Sequence, residues 1–591
     1  MASSSTSSPS SGISPGVYGT FTNDFQAQNQ APDASPDTSS SSPSSPLLEP
    51  PTPTYRTTKM FISTGAPSLR GPFLLAALTS VCSTGFLLFG YDQGVMSGIV
   101  ISTYWLSAMG NPSTLMIGTI TALYDVGAAV GAIMAAFSAE ELGRKRSLLV
   151  GAGVLTVGSA VMGGAGERVQ FMLGRVLTGI GIGYITSVTP VYQSEISSAA
   201  QRGWQVCCQL TTMLVGLMLA YWINYGLYYH AGSVQWRFPL LFQCVFSVYI
   251  LLLTPFLPDT PRWLIRHSKS SDKGLAVLAR LRGKAEDHPD VQAEKNEIVE
   301  AINIESKEEG GWMDLFRGHG IASHKRFYLA VGIQFMQQMS GINIVTYYAP
   351  TLYEQSLGMS QEMALFLGCF TQLWYVLASF LTWWMIDRVG RRMLFISMAI
   401  GMCIVLVCEA ICVAVGGKSA SVAAVFFVFM FEACFTWGWM ATVWIYPAEI
   451  LPLKIRAKGA ALAAAADFLG NFLVVEITPP ALAHIGYKTY IIFAVLNIVN
   501  AIIVWCFYPE TAGQTLESVD QMFAKQDDVI LTDGKDSWYR KLQWEMVARA
   551  AKNRGLRRRT HGQRGSIDST VVGEGDSSKG DEERIEVVGR P

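Results

Sequence analysis

Between residues 72 and 508 the chain is a series of long apolar segments separated by short polar breaks. The first, FLLAALTSVCSTGFLLFGY at 73–91, carries no charge. It is long enough to cross the roughly 30 Å hydrocarbon layer of a bilayer as a helix. Eleven more follow, at 116–137, 147–165, 170–190, 205–224, 238–257, 327–348, 363–386, 393–416, 422–446, 457–480 and 488–508. In lipid each spanning segment must satisfy its own backbone polar groups. The fold class expected is therefore an all-α membrane protein with twelve transmembrane helices. Only 15% of the 591 residues are charged, where soluble globular chains run about 25%. A soluble enzyme is excluded on that ground. A net charge of −1 also argues against a nucleic-acid partner, since phosphate binding needs a basic surface. The ten cysteines lie in or beside apolar segments and none has metal-ligand spacing with a histidine. They read as small packing residues, so no metal site and no disulfide scaffold is expected.

Residues 1–68 are rich in Ser, Pro and Thr and hold too little apolar surface to fold. They read as a disordered tail, with no apolar core near Met1 that would make a secretory signal. A six-helix bundle is expected over 69–257 and a second over 326–508. The charged stretch 258–325 between them reads as short amphipathic surface helices, and 509–591 as a polar tail that is largely disordered. Loops after even-numbered crossings carry Arg144, Lys145, Arg146, Arg202, Arg388, Arg391, Arg392, Lys454, Arg456 and Lys458, whereas loops on the other side carry at most one base each. Positive charge stays on the cytoplasmic side, which places both termini and the linker there.

The two halves repeat each other. EELGRKR at Glu140 recurs as DRVGRR at Asp387, 247 residues on. The Glu195–Arg202 spacing recurs as Glu449–Arg456, 254 residues on, and PDTPRWL at Pro258 recurs as PETAGQTL at Pro509, 251 residues on. A six-plus-six parallel repeat is the pattern of a secondary transporter whose halves rock about a site at mid-membrane. No nucleophile–base pair, phosphate loop or metal cluster suggests an enzyme.

Three segments carry a resemblance to a known family. GRVLTGIGIGYITSVTPVYQSEISSAAQRG (174–203), QFMQQMSGINIVTYYAP (334–350) and PETAGQTLE (509–517) resemble signature motifs of the sugar porter family of the major facilitator superfamily. The resemblance covers about 72–525. YWINYGLYY with SVQWRFP (221–239) and WIYPAEI (444–450) are most similar to a fungal branch that includes glycerol/proton symporters and other sugar or polyol carriers.

Glutamines at mid-membrane mark a pathway unless they are paired. In the seventh segment Gln334, Gln338, Gly341, Val345 and Tyr348 fall on one helical face, and Gln337 sits beside them. Amides offer donors and acceptors to a small neutral substrate covered in hydroxyls. The resemblance implies that Gln337, Gln338 and Asn343 contact such a substrate, with Tyr347 and Tyr348 closing over it from outside. It also implies roles for Trp444 in stacking and for Asn471. Gly341 would permit local unwinding. Other positions depart from the family. Leu210 stands where a fifth-helix glutamine is usual, with Gln209 one place earlier; Tyr375 stands where many hexose carriers have asparagine. Met440 and Ala441 replace a Gly and Pro before Trp444, and Asp467-Phe468 replaces Asn-Trp. These exchanges shift the expectation from glucose toward a pentose or small polyol, with Gln209 and Asp467 as further candidate contacts.

Energy coupling is expected at Asp92 in GYDQG (90–94). A carboxylate at membrane depth costs roughly 2.5–3.5 kcal/mol on insertion scales, so it is expected to be paired or protonated. The resemblance implies that it pairs with Arg175 and releases it on protonation. The proton would be the coupling ion, with no other cofactor. Asp125, Glu409 and Glu432 are further intramembrane acids, read as packing or interface residues. Glu140, Arg144, Glu195 and Arg202 in the first half, with Asp387, Arg391, Glu449 and Arg456 in the second, form a cytoplasmic gate in this reading. Their ion pairs would form between helices while the outside is open and break when the inside opens. The function expected is proton-coupled import of a sugar or polyol by a monomer in the plasma membrane. The alternatives are an uncoupled uniporter and a non-transporting nutrient receptor.

Overall fold

A computed structural model describes residues 69–197, 202–267, 272–308, 312–316, 323–452 and 455–514, together with Val519 and Phe523. The tail expected at 1–68, and the tail expected at 509–591 apart from 509–514, Val519 and Phe523, lie outside the described residues.

Among the described residues, eleven helices are long and apolar enough to cross a membrane. In the first half they are Pro72–Ile99, Thr114–Leu142, Arg144–Gly163, Arg168–Ile196, Arg202–Tyr228 and Val234–Leu253. In the second half the continuous crossings are Gln361–Val389, Arg391–Val415, Arg456–Ile485 and Lys488–Phe507. The tenth crossing runs Lys418–Phe435, widens at Thr436–Met440 and resumes over Thr442–Ile450. The seventh is different. It consists of Ser323–Gln338 and Ile342–Thr351, each too short to span alone.

The packing repeats with the sequence. In the first half the first crossing packs on the fifth, the second on the fourth, the third on the fourth and the third on the sixth. In the second half the seventh packs on the eleventh, the eighth on the tenth, the ninth on the tenth and the ninth on the twelfth. The same four pairings thus recur six helices later. Between halves the second crossing meets the eleventh, the fifth meets the eighth, and the first meets Ile342–Thr351.

Helices in lipid gain little from burying apolar side chains against each other, so close backbone approach matters more. The first and fifth crossings show this. A Cβ at Gly90 would stand 1.8 Å from the Met213 carbonyl oxygen, and one at Gly216 would stand 1.9 Å from that of Leu87. On the periphery Val157, Leu252, Ile404, Ile411 and Ile502 stay exposed, an apolar surface that only lipid would cover.

After the sixth crossing come Pro261–His267, Asp272–Arg282 and Pro289–Glu308, then a turn at Trp312–Leu315. Leu275, Leu278, Ala279 and Val291 form a small core of their own. These helices are tied to the first half at several points. The Gly71 N–H donates to the Arg280 carbonyl at 2.7 Å, and the Trp263 indole N–H donates to the Glu140 carbonyl at 2.7 Å. Trp312 reaches both halves. Its ring stacks on Phe137 at 4.4 Å, and the Lys458 ammonium lies 5.8 Å from its centre.

Candidate functional site

The break in the seventh crossing falls on Met339, Ser340 and Gly341. Gly341 has φ of +94°, in the left-handed region open to glycine. A Cβ there would also meet the Phe493 ring at 2.9 Å. The stripe expected on an unbroken helix is therefore split, because the chain changes direction between Gln338 and Ile342. Gln334 donates to the Val443 carbonyl at 3.4 Å, and Tyr348 donates to the Val475 carbonyl at 3.1 Å. Neither lines the cavity described next, and nor does Val345.

What the break does bring together is an open cavity between the halves, about 460 Å³ with the solvent at its mouth included. The first half supplies Phe89, Gln93, Met213 and Leu217. The second supplies Gln337, Gln338, Ile342, Asn343, Thr346, Tyr375, Phe435, Met440, Trp444 and Asp467. One hydrogen-bond chain organises the polar wall. Asn343 Nδ2 donates to Gln338 Oε1 at 2.7 Å, and Gln338 Nε2 donates to Asp467 Oδ1 at 2.7 Å. Gln337 donates to the Trp439 carbonyl at 3.2 Å. The wall thus presents amides, a carboxyl, a phenol and an indole, facing an apolar side formed by Phe89, Met213 and Leu217. Such a chamber suits a ligand with hydroxyls on its edge and C–H on its face.

Four residues expected at this site stand elsewhere. Gln209 is buried one turn before Met213, and neither of its amide atoms has a partner. Tyr347, Tyr348 and Asn471 are buried away from the cavity, at the joint where the second crossing meets the eleventh. Asn471 Nδ2 donates to Asp125 Oδ1 at 2.8 Å and to the Tyr347 hydroxyl at 3.1 Å.

Below that joint lies the buried ion pair. Arg175 Nη1 donates to Asp92 Oδ1 at 3.0 Å with both side chains 0% exposed. Its Nη2 donates to the Thr121 carbonyl at 2.9 Å, and the guanidinium lies over the Tyr124 ring at 4.7 Å. Asp92 precedes Gln93, so the helix that carries the pair also walls the cavity.

On the side opposite the linker several hydrogen bonds cross between the halves. Gln361 donates to the Ile101 carbonyl at 2.8 Å, the Tyr229 hydroxyl donates to Glu362 at 2.9 Å, and Thr119 donates to Glu476 at 2.7 Å. Tyr221 donates to the Thr346 carbonyl at 2.8 Å. Each of these joins one half to the other.

The charged motifs on the linker side act within halves. Arg144 pairs with Glu140 at 3.0 Å and Glu195 at 2.9 Å, and Arg391 pairs with Glu449 at 2.9 Å. Both partners of each pair belong to one bundle. Arg456 donates to the Leu451 carbonyl at 3.1 Å. The side chains of Arg202 and Asp387 lie outside the described residues.

The PDT and PET motifs turn out to do one job. Asp259 Oδ1 accepts from the Arg144 N–H at 3.2 Å, and Glu510 accepts from the N–H groups of Arg391 at 2.9 Å and Arg392 at 3.0 Å. Each caps the first turn of the helix that follows Gly143 or Gly390. Burial pushes the Asp259 carboxyl up, opposed by the N–H groups of Thr260, Lys145 and Arg144 and by the Arg144 charge.

Gln93 lines the cavity without having been expected there. Gln93 follows Asp92 directly, and a second polar side chain at that depth was the available signal. Asp125, expected as a packing or interface residue, shares a face with Gly118 and Thr121 at i−7 and i−4 and accepts from Asn471 of the other half. A Cβ at Gly118 would stand 2.5 Å from the Glu476 carbonyl oxygen, so this face meets the other half.

Comparison with known proteins follows the same outline. The family described as "Sugar (and other) transporter" matches residues 77–523. The MFS-type transporter oryC of Aspergillus oryzae is 37% identical over 479 residues, covering 79% of this chain and 89% of its own. The sugar transporter STL1 of Saccharomyces cerevisiae is 33% identical over 483 residues, covering 80% and 84%. Among solved structures, the proton:xylose symporter XylE of E. coli bound to 6-bromo-6-deoxy-D-glucose superposes with a TM-score of 0.65. It is 26% identical, over 76% of this chain and 99% of that one.

Proposed function

The chain belongs to the sugar porter family of the major facilitator superfamily and is an integral multi-pass membrane transporter, and from that premise we propose that it imports a pentose or small polyol by proton symport. The observation that carries this reading is the Asp92–Arg175 pair, fully buried one residue from a cavity wall. A structural relative with 26% identity is a proton:xylose symporter, which supports both the coupling ion and the substrate class.

In the proposed cycle, a proton arriving at Asp92 from the outer side neutralises it and releases Arg175. The solute binds in the cavity, its hydroxyls exchanging hydrogen bonds with Gln337, Gln338, Asn343 and Asp467 while a C–H face lies on Trp444. Binding to both halves favours closure, and rocking opens the linker side. Met440 and Tyr375 narrow the amide wall, which supports a ligand smaller than a hexose. The linker side is taken as cytoplasmic from the Lys and Arg distribution, and the plasma membrane as the site of action.

Radiotracer uptake in transport-deficient cells tests the proposal, with xylose, glycerol, glucose and lactose in the panel. Uptake of one of the first two, abolished above equilibrium by a protonophore, is expected. Asp92→Asn should remove accumulation and leave exchange down a gradient. Accumulation that survives either treatment refutes the coupling.

A further inference from the structure

Arg175 faces a second acid besides Asp92. Asp125 is fully buried one turn beyond Thr121, whose carbonyl accepts from Arg175 Nη2. Its Oδ1 accepts from Asn471 of the other half, and its Oδ2 has no partner. Asp92 Oδ2 is likewise unpartnered. The groups that interact with Asp125 are Arg175 on the fourth crossing, Asp92 on the first, Asp467 on the eleventh, and the phenols of Tyr124 on its own helix and Tyr347 and Tyr348 on the seventh. Among the described residues one cation, Arg175, therefore serves two enclosed carboxyls. Asp467 differs, because it borders the cavity and accepts from Gln338.

An uncompensated buried charge is expensive, so the pair of acids and the single guanidinium are neutral overall only with one proton between them. We propose that Asp92 and Asp125 share the transported proton, with Arg175 pairing to whichever acid is ionised. Asp125 is the member that links this choice to the joint between the halves. This deepens the symport reading and rests on it.

Two arrangements follow. In one, Asp92 is paired with Arg175, and Asp125 holds the proton on Oδ2 while Oδ1 keeps the Asn471 bond across the halves. In the other, the proton is on Asp92, and Arg175 turns from Thr121 toward an ionised Asp125. That turn competes with Asn471 for the carboxylate and loosens the joint. Proton position is thereby converted into the strength of a contact that must break when this end opens. Asp125 acts through Arg175 and Asn471, as a positioning residue rather than a solute contact.

The test uses full-length protein in liposomes with an imposed pH gradient and the solute identified by the uptake panel. Asp125→Asn leaves Asp92 and Arg175 mutually neutral without a proton. Gradient-driven accumulation should fall at least tenfold and its dependence on outside pH should flatten, while counterflow exchange stays within about twofold. Asp125→Glu, which keeps a carboxyl, should restore the pH dependence. Infrared spectra of the wild type at neutral pH should contain a protonated-carboxyl C=O band that is absent in Asp125→Asn. Accumulation lost in Asp92→Asn but retained in Asp125→Asn overturns the sharing and leaves symport standing; accumulation retained in both overturns symport itself. Should Asp125→Asn fail to reach the membrane, the band is compared between the wild type and Asp125→Glu: a band that shifts in frequency assigns the proton to this position, and an unshifted band overturns the sharing.

Discussion

Replacing Arg175 by Met should destabilise the protein more than any single change at Asp92. The guanidinium neutralises Asp92 at 3.0 Å, satisfies the Thr121 carbonyl at 2.9 Å and covers the Tyr124 ring, all without exposure to solvent. Removing one partner of such a pair leaves a buried carboxylate and costs about 3–5 kcal/mol. Asp92→Asn retains an oxygen for Nη1 and leaves Asp125 as counter-charge, so its cost is nearer that of a weakened hydrogen bond, about 1–2 kcal/mol. Combining the two removes the orphaned charge. The double variant should therefore be more stable than the sum of single losses implies, by about 2–3 kcal/mol. Reversible unfolding in mixed detergent micelles, with SDS as denaturant, measures all four corners of the cycle at neutral pH. Single losses that add to within about 0.5 kcal/mol would refute the argument, because residues in one buried network must couple.

Other substitutions probe the remaining elements. Gln338→Ala should raise the solute KM about tenfold or more, since Gln338 links Asn343 to Asp467 on the cavity wall, while Gln334→Ala should leave KM within about threefold; equal effects would place the binding amides wrongly. Gly341→Ala must adopt a left-handed backbone at about 1–2 kcal/mol and press on Phe493, so a melting curve shifted down is expected, and unchanged stability would mean the break does not need glycine. Trp312→Ala removes a ring stacked on Phe137 and lying beneath Lys458, a contact of about 0.5–1.5 kcal/mol between halves. Cysteine accessibility on the linker side should rise several-fold, and an unchanged labelling rate would show that the contact does not restrain the halves.

The sequence alone determined the membrane-spanning class and the repeat. Predominantly apolar runs of bilayer length favour helix, and that constraint is local to each segment. The shared offset of Glu140, Glu195 and Pro258 with Asp387, Glu449 and Pro509 likewise needs no coordinates, and the matched caps of Asp259 and Glu510 give it a physical basis. Helical periodicity failed where the helix itself failed. With the left-handed Gly341 the seventh crossing turns, so Gln334 and Tyr348 leave the stripe that Gln338 occupies. That Asp125 stands near the Asp92–Arg175 pair and binds Asn471 was beyond sequence for a different reason. Asp92, Asp125 and Asn471 come from three helices of two bundles, and their meeting depends on how closely Gly118 lets the second crossing approach the eleventh. Spacing along a chain reports which side chains share a helix face, while charge balance in a buried site depends on distances between helices, which only the packed structure sets.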